Sequence, residues 1–277
     1  MGLDKRTLKI IVIIVVTLII VGSIIGLLLF LLLPRSYVVL EVWPQSDDYN
    51  YREPLIQFRE QDPGTWYPWF RKINDFLREY ETTVPEEPPR APCSVQPQER
   101  RPPVPSCEQV QAMWAPCNVD NFYGYKFGRP CVFLRLSHIH YWVPEPYNVS
   151  VPLPIPHDMP EHIKHVMRQR PAHQVGDYIW VSCDGEFMSD KENMGPIQYI
   201  PHGLPPGFPT SRLHTADRIP YSARGMPDTV PGPLVAVHFE NPRRGVLINV
   251  ECRIWSRDIM YDPSSRTGRA RFELYVE

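Results

Sequence analysis

The sequence predicts a single transmembrane helix followed by a mainly-β ectodomain, an immunoglobulin-like antiparallel β-sandwich with a short N-terminal helix and three disulfides. Three observations predict it. Residues 10–33 carry no charge, and Thr17 and Ser23 are their only hydroxyls. A helix of that length reaches roughly 36 Å, enough to cross the hydrocarbon core with some tilt. From residue 130 onward, apolar residues recur with period two in separate runs, the pattern of half-buried strands. All six cysteines, Cys93, Cys107, Cys117, Cys131, Cys183 and Cys252, follow the apolar run, and an even count outside the cytosol reads as three disulfides.

The apolar run reads as an anchor because a secretory signal needs only about 7–15 apolar residues and then a small-residue cleavage site. Leu33-Pro34-Arg35-Ser36 offers no such site. Lys5, Arg6 and Lys9 precede the run, so the positive-inside rule leaves residues 1–9 in the cytosol and puts everything from Pro34 outside. The expectation is a signal-anchor and a single-pass, type II protein of the plasma membrane, in contact with membrane lipid. Gly22 and Gly26 have the GxxxG spacing that lets a second helix approach closely. They are the candidate helix-packing residues for a partner.

Residues 34–65 read as an extended stalk, and 66–277 as the disulfide-bonded domain. Trp69, Phe70, Ile73, Phe76, Leu77 and Tyr80 recur at helical spacing, with Pro68 in the first turn. The proline-rich stretch 82–106 has no periodicity. Strands are expected at 130–136, 178–183, 233–239, 246–254 and towards the end around Phe272, Leu274 and Val276. Asn241-Pro242-Arg243-Arg244-Gly245 reads as a hairpin turn. A short helix from Met159 to Arg168, with Asp158 as N-cap, interrupts the strands. Cys183 and Cys252 fall on inward faces of separate strands, where a bridge would tie the sheets together. The four earlier cysteines are closely spaced, which favours pairing of neighbours without fixing the connectivity.

A net charge of −2 argues against nucleic acid as a partner, which would call for a basic stripe. No CxxC occurs, and Glu161-His162-Ile163-Lys164-His165 is not HExxH. His138 and His140 share a strand face, but with His157 and His173 they lack a zinc-enzyme pattern. No GxSxG motif appears and every cysteine has a structural use, so neither a cofactor nor a catalytic residue is expected. Asn148-Val149-Ser150 is an N-glycosylation sequon. Asp47-Asp48 and Arg243-Arg244 read as solvated charges.

Asn121-Phe122-Tyr123-Gly124-Tyr125-Lys126-Phe127-Gly128-Arg129-Pro130-Cys131 resembles the YGY…G.PC signature of the beta subunits of sodium/potassium-transporting P-type ATPases. Trp142-Val143-Pro144-Glu145-Pro146-Tyr147-Asn148 and Trp180-Val181-Ser182-Cys183-Asp184-Gly185-Glu186 continue the likeness in the insect style. Pro233-Leu234-Val235-Ala236-Val237-His238-Phe239-Glu240-Asn241-Pro242 and Val250-Glu251-Cys252-Arg253 extend it. The resemblance implies the pairing Cys93–Cys107, Cys117–Cys131 and Cys183–Cys252. It also implies a non-catalytic subunit that caps a catalytic alpha subunit, assists its folding, export and surface stability, and tunes potassium affinity. The hairpin strands around Phe239 and Val246 are further candidate anchors for that partner. The chain departs from the family in its short tail, its almost purely aliphatic span, and Thr210-Ser211-Arg212-Leu213-His214, where the family has a tyrosine- and proline-rich segment. Two other readings fit a stalked type II layout. One is an adhesion domain that contacts neighbouring cells. The other is a Golgi glycosyltransferase, which the missing DxD-like site and the absence of alternating βα units oppose.

Overall fold

The computed structural model describes residues 14–24, 38–46, 54–82, 114–137, 142–147, 155–210, 213, 233–259 and 267–277. The chain divides into two units, Met1–Ser36 and Tyr37–Glu277.

In the first unit, residues 14–24 form helix α1. Its two hydroxyls turn back on the helix itself, Thr17 donating to the Ile14 carbonyl and Ser23 to the Ile19 carbonyl, each at 2.8 Å. The aliphatic side chains are exposed, Leu18 at 66%. At 1.5 Å per residue the described part of α1 rises roughly 17 Å. Among the described residues no helix is long and apolar enough to cross a membrane. This corrects the expected span over 10–33, and with it the signal-anchor and the type II plasma-membrane placement. The tail 1–9 and Gly26 lie outside the described residues.

The second unit is mostly β. In chain order it runs β1 (Val39–Trp43), β2 (Leu55–Phe58), α2 (Pro63–Thr82), β3 (Cys131–Ser137), α3 (Glu161–Arg168), α4 (Ala172–Val175), β4 (Tyr178–Gly185) and α5 (Met188–Met194). It continues with β5 (Ile197–Ile200), β6 (Gly207–Pro209), β7 (Leu234–Phe239), β8 (Leu247–Trp255) and β9 (Arg269–Val276). A four-stranded sheet has the order β1-β3-β7-β5, and a five-stranded sheet the order β2-β9-β8-β4-β6.

Two features depart from the expected antiparallel, immunoglobulin-like sandwich. First, β2 pairs with β9 in parallel. Second, the sheets are curled: Val39 bridges to Thr267, and the Gly268 amide donates to the Val38 carbonyl at 2.9 Å. The expected stalk over 34–65 therefore supplies β1 and β2, one edge strand to each sheet. The anticipated hairpin over 241–245 is a crossover instead, because β7 pairs with β3 and β5 while β8 pairs with β4 and β9. Local turn chemistry could not distinguish the two, since Gly245, at φ 68°, suits either connection.

One core lies against both sheets. Ile248, Val250, Cys252 and Ile254 of β8 join Phe272 and Leu274 of β9, Val132 and Leu134 of β3, and Val235 and Val237 of β7, all nearly or fully buried. Trp180 and Trp255 belong to a second cluster, in which Ile163 and Met167 of α3 take part. The Trp180 indole donates to the Val175 carbonyl at 3.0 Å, and that of Trp255 to Ser182 Oγ at 2.8 Å. Both faces of β4 are thereby covered. Helix α3 begins at Glu161 with Pro160 as N-cap, so Asp158 lies outside it and pairs elsewhere.

Helix α2 starts at Pro63, which leaves Pro68 in its second turn where the first was expected. Trp66, Ile73 and Phe76 form its buried stripe. This stripe meets the signature segment 122–127, a kinked 3₁₀ helix. Phe122 and Tyr123 hold left-handed φ of 50° and 49°, which bulky side chains rarely adopt. Gly124 follows at φ 79°, and a Cβ there would sit 1.8 Å from the Arg129 carbonyl oxygen, so only glycine fits. The strained turn directs Tyr123 against Phe70 and Phe133, at 5.6 and 5.8 Å between ring centroids, and Tyr125 against Phe58 at 5.0 Å.

Among the described residues there are two disulfides where three were expected, Cys117–Cys131 and Cys183–Cys252. Cys93 and Cys107 lie outside the described residues. The bridge anticipated as a tie between sheets joins two neighbouring strands of one sheet. Cys183 and Cys252 are register partners across β4 and β8, with Cα atoms 4.0 Å apart. They are 69 residues apart in sequence, so replacing both with alanine should lower the free energy of unfolding by about 4 kcal/mol on the chain-entropy model. Urea denaturation of the double variant beside the parent protein measures this.

Candidate functional site

The described residues contain no group of three or more His, Cys, Asp or Glu side chains able to hold a metal ion, and no free cysteine. His162 of α3 hydrogen-bonds the Tyr199 hydroxyl at 3.2 Å, and that hydroxyl accepts the Cys183 amide at 2.8 Å. The imidazole thus braces the disulfide-bearing strand.

A polar trough of about 360 Å³ opens on the outer face of the five-stranded sheet, between the start of α3 and the start of α5. The strand register builds it. Glu251 and Arg253 of β8 lie opposite Arg271 and Arg269 of β9, and period-two alternation puts all four on one face. Glu251 is the hub. Arg253 Nε bonds one of its oxygens, while Arg271 Nε and Arg269 Nη1 reach the other at 2.9 and 3.4 Å. Arg253 continues to Asp158 at 3.0 Å, and Arg271 to Glu186 at 3.1 Å. Beside them Lys191 bonds Asp184 at 2.7 Å.

Close backbone approach sets the far wall. A Cβ on Gly185 would lie 2.2 Å from the Lys191 amide nitrogen, so glycine lets α5 sit against the end of β4. Asp190 fixes the start of that helix, accepting the Phe187 amide at 3.1 Å and the Asn249 amide group at 3.3 Å. The turn leaves Phe187 and Met188 exposed at 60% and 73% on the rim. Each carboxylate of the trough is bonded to a cation, so the arrangement suits a rigid docking surface and not acid–base chemistry.

The candidates read from the sequence fall elsewhere. Gly22 lies on α1, and a Cβ added there would meet nothing within 4 Å. Asn148, Gly26, His138, His140, Asp47 and Asp48 are outside the described residues. Phe239 is fully buried against Phe272, ring centroids 6.0 Å apart, so it is a core residue and not an anchor. Val246 is half-buried. Arg244 is tied down, to Glu60 at 3.1 Å and the Pro242 carbonyl at 2.7 Å. Sequence reading missed the trough, although the alternation of charge in Glu251-Cys252-Arg253 and Arg269-Ala270-Arg271 was its signal.

Burial pushes the Glu251 carboxyl up, but the bonds from Arg253 and Arg271 outweigh this and hold its pKa below the ordinary 4.5. The resulting stabilisation is present above the unfolded-state pKa and lost as pH falls through the lower folded value. Glu251→Gln should therefore cost about 1–3 kcal/mol near neutral pH, since Arg253 and Arg271 keep Asp158 and Glu186 while losing the hub charge, and the gap to the parent should narrow in acid. Urea titrations at several pH values measure both effects.

The sequence model of the family described as sodium/potassium ATPase beta chain matches residues 39–274. Sodium/potassium-transporting ATPase subunit beta-2 of Drosophila melanogaster is 34% identical over 234 residues, covering 82% of this chain and 67% of that protein. Subunit beta-1 of the same fly is 32% identical over 228 residues with the same coverage. The probable subunit beta-3 of Caenorhabditis briggsae is 28% identical over 230 residues, 82% of this chain and 63% of that protein. The chain thus spans about two thirds of the length of these relatives. The family match runs from the first residue of β1 into β9, and on that ground the chain belongs to the sodium/potassium ATPase beta chain family as a non-catalytic, beta-type subunit.

Proposed function

We propose that this chain pairs with the catalytic alpha subunit of a sodium/potassium-transporting P-type ATPase, assists its folding and export, and tunes its potassium affinity. The observation that carries this reading is the family match across the whole β unit. The trough on the five-stranded sheet supports it as the contact surface. Apolar side chains beside fixed charges are the mix found where a hydrophobic anchor is ringed by polar groups, and Phe187 and Met188 stand exposed beside the paired charges there. Gly22 offers α1 a second approach for a partner helix. We further propose that Asn148 is glycosylated and that Cys93 pairs with Cys107, which peptide mapping with and without deglycosylation and reduction tests.

Co-expression with the alpha subunit, followed by detergent extraction and affinity capture of this chain, should recover the two in roughly equal amounts. The potassium dependence of ATP hydrolysis should also differ from that of a complex with another beta subunit. Phe187→Asp with Met188→Asp should reduce recovery of the alpha subunit by about tenfold or more, the loss expected of a desolvated apolar anchor. The variant's melting temperature should not change, because both side chains are solvent-facing. Capture that brings down no alpha subunit would overturn the pairing. Capture unaffected by the double variant would move the contact off the trough.

A further inference from the structure

A second cavity, of about 460 Å³, lies where α2 meets β2 and the end of β9. Three elements build it, together with Ser46 after β1. Thr65, Pro68, Trp69 and Lys72 line it from α2, at spacings that place them on one helix face. Gln57 and Arg59 line it from β2 and the residue after that strand, and Glu277 closes it from the C-terminal end of β9.

The positions of these groups are held. The Trp69 indole donates to the Gln57 carbonyl at 2.8 Å, and the Lys72 ammonium sits 4.7 Å from the centre of its ring. Glu277 is fixed at both ends of its carboxylate. Gln57 Nε2 donates to Oε1 at 3.2 Å, and Arg59 Nε to Oε2 at 2.8 Å. The backbone around it is pinned too, with the Glu60 amide donating to the Glu277 carbonyl and the Glu277 amide to the Phe58 carbonyl, both at 2.9 Å.

The lining mixes both signs of charge, Arg59 and Lys72 with Glu277, and the Lys72 ammonium also donates to the Gln45 carbonyl at 3.1 Å. An anion entering the cavity meets Glu277, and a cation meets Arg59 and Lys72. A neutral group carrying both donors and acceptors meets no repulsion. Among the described residues the Arg59 guanidinium spends one of its five N–H donors, on Glu277. A carboxylate offers about four lone-pair sites, of which two are engaged here. Unspent donors therefore lie beside unspent acceptors, the pattern that vicinal hydroxyls, each donor and acceptor at once, can bridge. The indole and Pro68 add apolar surface, which suits the C–H face of a sugar ring. The volume is of the size that holds small ligands.

From this geometry we infer that the cavity between α2 and the C-terminal end of β9 binds a neutral saccharide. Its hydroxyls engage Arg59, Glu277 and Gln57, and its ring lies against Trp69 and Pro68. The site is separate from the trough on the outer sheet face and does not depend on how the alpha subunit docks.

The test uses the full chain and three methyl glycosides, those of mannose, galactose and N-acetylglucosamine, with inorganic phosphate as the charged probe. Saturation-transfer NMR and calorimetry should show saturable binding of at least one glycoside and none of phosphate. Glu277→Gln and Arg59→Met should each weaken that binding by about tenfold or more, as expected for loss of hydrogen bonds to a charged group. Trp69→Phe, which keeps an aromatic ring, should weaken it less. Capture of a glycoprotein before and after enzymatic deglycosylation separates a protein-borne glycan from a free sugar as the source. Failure of all three glycosides to bind, binding of phosphate in their place, or unchanged binding by both charge variants would overturn the assignment. The choice of glycoside over phosphate is read on the parent protein and stands even if a variant fails to fold.

Discussion

The covalently locked register between β4 and β8 is the constraint on which the rest of the second unit depends. Side chains alternate faces along a strand, so a slip of one residue would exchange core for solvent everywhere along the pair. The Cys183–Cys252 pairing forbids that slip. With the register held, Ile248, Val250 and Ile254 must face the core, and Glu251 and Arg253 must face outward. The same alternation sends Trp180 and Ser182 to the outer face, where Trp255 and α3 cover them. Core, outer cluster and charged trough thus follow from one pairing.

Five strands were legible in the sequence from their period-two apolar residues, most plainly β8 and β9, where burial on one face writes itself as that period. β1 and β2 were not, although Val39, Leu40 and Val42 are plainly apolar. Their partners are distant in sequence, β3 and β9, and nothing local distinguishes an edge strand from an extended linker. β5 and β6 were missed for a related reason: at four and three residues they are too short to show a period. The link over 241–245 failed in the opposite way. Its turn residues were read correctly, but whether two strands joined by a turn pair with each other is decided by which neighbours each one finds. The aliphatic run before residue 34 was read from hydropathy alone as one long helix, and the described part of it is the shorter α1.

The signature segment shows where family likeness resides. Tyr123, Gly124 and Tyr125 are buried, and they hold α2 against β3 through a backbone that non-glycine residues rarely tolerate. Strain of this kind persists only when packing over-determines it. The aromatic contacts to Phe70, Phe133 and Phe58 supply that packing. The motif by which the chain is recognised is therefore a device for building the fold.

The Tyr123-Gly124-Tyr125 core of the signature is inside, where a substitution is felt as lost stability, whereas Asp184, Glu186, Glu251 and Arg253 of the other family-like segments line the trough. The residues able to meet another molecule are the ones that register and turn geometry push outward: Phe187 and Met188 beyond the Gly185 approach, and the groups gathered where α2 crosses the end of β9. Phe239, the apolar residue that sequence alone nominated as an anchor, has no surface left to offer. Its strand alternates only nominally, because Val235, Ala236, Val237, His238 and Phe239 are all buried. A strand sheltered on both faces cannot serve a partner, so among the described strands a docking surface has to come from the outer sheet face or an edge.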